Sequence, residues 1–209
     1  SLGEYAALVA AEVVTIPEVF ELVRQLAIAS DSVLKDGLYG MAVVNLDPET
    51  CENICLSIKN GYVRVANYNS QKQATIAGNE NGLNTFEMIA NEFMEKIIPI
   101  NIYKPFHTQL MKPAADIYQN EIEDIEFSNP TIPIYMNVTG ERVTNADKIK
   151  SFLVKHVYSP VLWTKTLKNL HMIGTEFYLE CGLKSVLCKL VNDTLGSNSK
   201  KTMFFEVAN

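Results

Sequence analysis

Positive charge is scarce in this chain. Its 18 Lys and Arg stand against 24 Asp and Glu, a net charge of −6 over 209 residues. A nucleic-acid partner calls for a basic face, so that class is set aside. Only three of the cations are arginines, Arg24, Arg64 and Arg142. No stretch approaches the roughly 20 apolar residues that span a bilayer. No charged segment precedes an apolar run in the manner of a secretory leader. Cysteine is also sparse. Four residues, at 51, 55, 181 and 188, are too few and too unevenly spaced for a disulfide framework. Cys51 and Cys55 lie four apart on an expected helix, and no histidine is near enough to complete a zinc signature, so buried free thiols are expected there. The sequons at Asn137 and Asn192 carry little weight without a secretory context. A reducing cytoplasm fits all of this. There is no initiator Met, and the sequence reads as a fragment or a processed chain.

What is present is an ordinary globular composition, 47% hydrophobic and 20% charged, enough for one large core or two small ones. No repeats or low-complexity runs occur. Residues 3–13 and 16–33 read as helices, with Pro17 near the first turn of the second. From Tyr39 the pattern changes. Strands are expected at 39–46, 62–68, 73–77 and 97–103, and helices at 48–59 and 80–95. The order strand, helix, strand, strand, helix, strand is that of a complete ferredoxin-like unit. Beyond it come helices at 108–121, 145–157, 162–170 and 183–193 and strands at 132–137, 176–180 and 202–206. Strands alternating with helices imply a parallel sheet. The expected fold is an α/β body (1–37 and 105–209) interrupted by a small α+β subdomain (38–104). Residues 196–201 read as a surface loop.

Ser1-Leu2-Gly3 stands directly before a helix. A serine, one spacer and a glycine form the second half of a nucleophile elbow, in which a sharp turn exposes the serine oxygen. The helix N-terminus behind it offers N–H groups to a developing oxyanion. The competing reading is a plain helix cap, a role for which serine is favoured. A serine nucleophile needs a base, and there are three histidines. His171 lies near a helix end, where a solvated or capping role is the default. His156 sits late in a helix, where packing is the default. His107 follows Pro105-Phe106 where the chain re-enters the body, the kind of loop that often holds catalytic groups.

Five stretches, in order, carry a resemblance. Ser1-Leu2-Gly3-Glu4-Tyr5-Ala6-Ala7-Leu8 resembles the nucleophile elbow of the malonyl-CoA:acyl-carrier-protein transacylase family, which includes polyketide synthase acyltransferase domains. Asn67-Tyr68-Asn69-Ser70 with Ile76-Ala77-Gly78 resembles that family's paired-strand motif. Pro105-Phe106-His107-Thr108-Gln109-Leu110-Met111 resembles its histidine motif. Tyr158-Ser159-Pro160-Val161-Leu162-Trp163 resembles P-V-x-W, and Glu180-Cys181-Gly182 the E-x-G turn before a late helix. The resemblance implies an α/β-hydrolase-like body with a ferredoxin-like lid and a Ser–His dyad between them. It implies Ser1 as nucleophile, His107 as general base and the Leu2 N–H as half of an oxyanion hole. His156 falls where the family usually has a glutamine whose backbone carbonyl orients the histidine. Leu26, Phe106 and Asn69 fall at the acyl pocket. The implied substrates are acyl thioesters of CoA or of an acyl carrier protein, which is also the implied partner. No metal or other cofactor is implied, and no nucleic acid or membrane. Fatty-acid or polyketide biosynthesis, including antibiotic assembly, is the implied setting.

Two departures stand out. The stretch that precedes the serine in the family, with central strands of the sheet and an oxyanion-hole glutamine, is absent. Malonyl-using members carry an arginine at the position of Leu26, where it grips the substrate carboxylate bidentately. Arg24 is two residues away, roughly 200° around a helix, and points elsewhere. Phe106 resembles malonyl-type domains, but the missing charge points to an uncharged acyl chain. Loss of that arginine resembles the acyl-hydrolase branch found beside polyketide assembly lines, which clears stalled acyl groups with water. Transfer of a malonyl or a monocarboxylic starter group is the alternative within the fold. Outside it stand an N-terminal-nucleophile hydrolase, disfavoured by the helix at 3–13, and a non-catalytic carrier-docking module.

Overall fold

In the computed structural model, residues 1–182, 184–196 and 201–206 are described. Helix α1 (Gly3–Ala10) starts directly behind Ser1 and Leu2 and buries Tyr5 and Leu8, one helical turn apart. Helix α2 (Ile16–Ser32) opens on a capping box. Thr15 Oγ1 accepts from the Glu18 N–H at 3.4 Å, and the Thr15 N–H donates to Glu18 Oε2 at 2.6 Å. These contacts satisfy N–H groups that a helix start leaves open. Its buried positions, Leu22, Gln25 and Ala29, recur at helical spacing and face the body core. That core also takes Met111 from just before helix α5 (Lys112–Glu121), Ala114, Ala115 and Tyr118 from α5 itself, and Ile149, Leu153 and Val154 from helix α6 (Ala146–His156). It encloses a polar pair, Tyr5 Oη with Tyr118 Oη at 3.2 Å.

The ferredoxin-like unit is present. Strands β1 (Tyr39–Val44), β2 (Val63–Ser70), β3 (Gln73–Asn79) and β4 (Ile98–Ile100) form one antiparallel sheet in the order β2-β3-β1-β4. Helices α3 (Pro48–Ser57) and α4 (Glu80–Glu92) connect them. Strand side chains alternate between faces, and the two faces differ in size. Ala42, Val44, Val65 and Ile76 pack with Cys51, Ile54, Cys55, Phe86 and Ala90 of the helices. The opposite face presents Met41, Ala66 and Ala77, packed with Ile100 and Phe106. This sparse face is turned toward the body, and it leaves room between them. Cys51 and Cys55 are buried free thiols, as expected, with burial pushing both up to about 12.

A close approach at Gly78 fixes the edge of this sheet. A Cβ there would stand 2.0 Å from the Tyr62 carbonyl oxygen and 2.8 Å from Val63 Cα. Both are backbone atoms with no freedom to yield. Gly78→Ala is therefore expected to destabilise the protein by about 1–3 kcal/mol, read as a lower urea midpoint with an unchanged slope. A wild-type midpoint would show that β2 and β3 can part without cost.

The second half of the body departs from expectation in places. The strand expected at 132–137 for a parallel sheet is reduced to β5 (Ile134–Tyr135), which pairs antiparallel with an unforeseen β6 (Arg142–Val143). Pro130 and Pro133 remove ladder donors before it, and a turn through Gly140, at φ +63°, sends the chain straight back. The helix expected at 108–121 begins instead as a 3₁₀ turn (Gln109–Met111), with Pro113 in the first turn of α5. Helix α7 (Trp163–Met172), strand β7 (Phe177–Gly182), helix α8 (Val186–Leu195) and strand β8 (Lys201–Glu206) follow. β7 and β8 pair in parallel, the connection expected of a β–α–β unit. The loop expected at 196–201 lies mainly outside the described residues, and Lys201 already belongs to β8. Body and insert are stitched together at Val161, whose N–H donates to Ala66 O (2.9 Å) and whose carbonyl accepts from the Tyr68 N–H (3.0 Å). Among the described residues no helix is long and apolar enough to cross a membrane.

Candidate active site

Ser1 does not cap α1. The N-cap position belongs to Leu2, which makes no side-chain capping bond. The Ser1 hydroxyl turns instead to His107, with Oγ and Nε2 3.0 Å apart. His107 lies on the loop between β4 and the 3₁₀ turn and holds φ at +63°. That left-handed conformation is uncommon outside glycine and clusters at functional positions. Two contacts impose it. The His107 N–H donates to Val157 O at 3.0 Å, and ring Nδ1 donates to His156 O at 2.8 Å. The latter carbonyl ends α6 and has no partner within the helix. With Nδ1 carrying the hydrogen, Nε2 is left as an acceptor facing the Ser1 hydroxyl. Burial pushes the His107 ring from its ordinary 6.5 down to about 3, with the neighbouring His156 adding to the effect. The ring is therefore neutral at physiological pH, the state that can take a proton.

The other histidines separate clearly. His171 is exposed in the last turn of α7. His156 is buried, and its ring stacks on that of His107 with centroids 4.7 Å apart. The Leu2 N–H lies in the first turn of α1, where no preceding carbonyl can reach it. Leu2 and Ser1 both open onto one cavity.

That cavity holds about 360 Å³. Leu26, Met41, Ile100, Ile102 and Phe106 give it apolar walls, and Ser1 and His107 line it as well. Asn67 and Thr75, partners across β2 and β3, are the polar residues on the sheet side. Among the described residues no lysine or arginine lines it. Arg24 lies exposed on α2, where its guanidinium meets Glu21 in two hydrogen bonds of 2.8 and 2.6 Å. Arg64 donates to Val63 O on the insert. Asn69 does not line this cavity. It borders an adjoining one of about 500 Å³ that also reaches Ser1, and its amide nitrogen is directed to Thr75 Oγ1 at 3.0 Å. Register shifts in β2 on either side of Asn67 and Tyr68 break the alternation that would have set Asn67 and Asn69 on one face.

Sequence reasoning missed two participants. Glu4 was visible only as part of the elbow motif, and Asn137 only as a sequon. Both are drawn in beneath His107, where the Asn137 N–H donates to Glu4 Oε1 at 2.7 Å. An acidic residue in the first turn of a helix reads from sequence as a surface charge, which concealed Glu4.

An α/β body carrying a ferredoxin-like sheet, with a serine at a helix start hydrogen-bonded to a loop histidine between them, defines the class as an acyltransferase-type fold. The chain belongs to the acyl transferase domain family, whose profile matches residues 1–205. It is 33% identical over 205 residues to the malonyl CoA-acyl carrier protein transacylase of Escherichia coli K12, covering 95% of this chain and 66% of that protein. It superposes on the acyl-carrier-protein S-malonyltransferase of Burkholderia pseudomallei 1710b with a TM-score of 0.92 at 29% identity, covering 98% of this chain and 67% of the other. A malonyl-transacylase in complex with its type II PKS acyl-carrier protein gives a TM-score of 0.91 at 29% identity, with 98% and 67% covered. The chain thus spans about two thirds of the length of these relatives.

Proposed function

We propose that this chain carries the Ser–His dyad of an enzyme that moves uncharged acyl groups from thioesters through an acyl-serine. The observation that carries the reading is the 3.0 Å contact of Ser1 Oγ with a His107 ring already oriented by the His156 carbonyl. As Oγ attacks the thioester carbonyl, His107 Nε2 takes its proton, and the Leu2 N–H faces the oxyanion. Collapse of the tetrahedral intermediate breaks the C–S bond, and the proton passes from His107 to the departing thiolate. In the second half a thiol or a water gives its proton to His107 and attacks the acyl-serine, and Ser1 recovers its hydrogen. The chemistry uses no metal or redox group, only the thioester of CoA or of a carrier protein's phosphopantetheine. Residues 38–104 act as a small subdomain over a body made of 1–37 and 105–209, with the acyl chain held between them. A carrier protein is the proposed partner, since relatives are named for that acceptor.

The apolar cavity and Leu26 favour an uncharged acyl chain, and with it hydrolytic clearing of acyl-carrier proteins or transfer of a starter group. The named relatives support a second reading, malonyl transfer. The dyad itself is tested by intact mass after incubation of the whole protein with acyl thioesters. One acyl adduct on the wild type and none on Ser1→Ala is expected. An equal adduct on both rejects Ser1 as the nucleophile.

A further inference from the structure

Below His107 lies a polar cluster that the two-residue dyad does not itself require. The His156 side chain is 4% exposed and that of Glu4 2%, and His156 Nδ1 lies 3.0 Å from Glu4 Oε2. The contact is off the hydrogen-bond direction, and Oε2 has no other protein partner, so this buried carboxylate oxygen depends on the imidazole for compensation. On the far side of the ring, His156 Nε2 is 3.2 Å from Asn137 Nδ2. The same amide nitrogen reaches Ser1 O at 3.4 Å, and the Asn137 main-chain N–H donates to Glu4 Oε1. With Nδ2 donating both ways, His156 Nε2 accepts, and Nδ1 carries the hydrogen that faces Glu4. Three separate elements converge on one ring: the serine-bearing helix α1 through Glu4, the β5–β6 turn through Asn137, and the end of α6 through His156 itself.

We propose that the His156 imidazole is a positioning residue for acyl transfer. Anchored by Glu4 and Asn137, it fixes its own carbonyl, and through that carbonyl the tautomer and aim of His107 toward Ser1. A helix end otherwise frays, and its last carbonyls are free to tilt toward solvent. Here Glu4 belongs to the helix that starts directly behind Ser1, so nucleophile and base-orienting carbonyl are tied to one buried contact. A helix end without this anchor would leave the distance between Ser1 and His107 to the packing of two separate elements. The stack of the two rings, 25° from parallel, adds a second constraint on the plane of His107. The glutamine that the family usually carries at this position can offer an amide N–H toward Glu4, but it has no second ring nitrogen for Asn137.

The inference rests on the reading of His107 as the base, and the test keeps the two apart. The probe is the acylation burst with p-nitrophenyl acetate on the whole protein, together with the proton resonance of the hydrogen-bonded His107 Nδ1–H. His156→Leu is expected to acylate about 10²-fold more slowly, the cost of a misplaced group, with KM little changed and the Nδ1–H resonance lost. His156→Gln is expected to recover most of the rate and the resonance. Glu4→Gln keeps shape but removes the charge, and is expected to give a smaller loss in the same direction. A wild-type rate in His156→Leu overturns the proposal, as does a slow variant whose His107 resonance is intact. Should His156→Leu fail to fold, a wild-type rate in Glu4→Gln overturns it equally. Normal acylation by His107→Ala would instead reject the base.

Discussion

His107→Ala is expected to slow acylation of Ser1 by about 10²–10⁴-fold, the range for removing a positioned general base. His171→Ala, on the exposed end of α7, is expected to leave the rate unchanged. The sign of the pH dependence follows from the environment of His107. Only the neutral ring can accept the Ser1 proton, and burial holds its folded value near 3 rather than 6.5. Acylation should therefore stay level as pH falls from 8 through 6, where an exposed histidine of ordinary pKa would already have lost about three quarters of its activity. The same shift works against stability in acid. The unfolded chain binds a proton at His107 below about 6.5 that the folded chain refuses until about 3, so the protein loses stability across that window as pH falls. Burst kinetics between pH 5 and 8, with far-UV circular dichroism to mark unfolding, read both. An acid limb centred at 6.5 in folded protein would show a solvated histidine, and an unchanged burst in His107→Ala would show that another group takes the proton.

What could be read from sequence divides along physical lines. The insert was legible because its signals are local. A strand-like run at 39–46, alternation at 62–68, a polar turn before Gln73 and a helical stretch at 80–95 each state their own structure, and only one chain order of such pieces makes a ferredoxin-like sheet. The body was less legible. Ile134–Tyr135 has the composition of a parallel strand, yet its neighbours Pro133 and Gly140 make it half of a short hairpin, because pairing depends on a partner that local pattern does not name. In the site, Ser1 and His107 were found through motif chemistry. Leu26 and Phe106 were assigned to the acyl pocket by the family resemblance alone, and both line the cavity that Ser1 and His107 share. Asn69 was set on the wrong wall, because register shifts in β2 cannot be seen in an alternating string. Glu4 and Asn137 escaped for a different reason. Each looks like a surface residue until a distant helix end, at His156, is folded over it.

The largest expected effect beyond the dyad concerns the acyl group. The wild type should acylate on Ser1 from acetyl thioesters in preference to malonyl thioesters by about 10²-fold or more. The argument is one charge in one cavity. A malonyl carboxylate entering the space walled by Leu26, Met41, Ile100, Ile102 and Phe106 leaves water behind and, among the described residues, meets no arginine or lysine side chain there. An unpaired buried carboxylate costs several kcal/mol, and about 1.4 kcal/mol is already a factor of ten. Arg24 does not relieve this, since its guanidinium is held by Glu21 on the outer face of α2. Leu26→Arg puts a cation on the inner face at the position where the family's malonyl-using members carry it. It should raise malonyl loading and lower acetyl loading, reversing the preference through one residue. The measurement is a competition between acetyl and malonyl groups, each as CoA and as carrier-protein thioester, scored as acyl-serine by mass and as free acid released. Malonyl preferred by the wild type returns the protein to the chemistry for which its relatives are named. With acetyl preferred, the second acceptor is read from the same experiment. Free acid forming faster than acyl-carrier product identifies water and a clearing role, and the reverse identifies a carrier thiol and a starter transferase. On the proposed reading Leu26 sets the preference for the acyl group, while the acceptor is met by Ser1 and His107. Leu26→Arg should accordingly change which acyl group is loaded and leave the ratio of acid to acyl-carrier product per acyl-serine as it was.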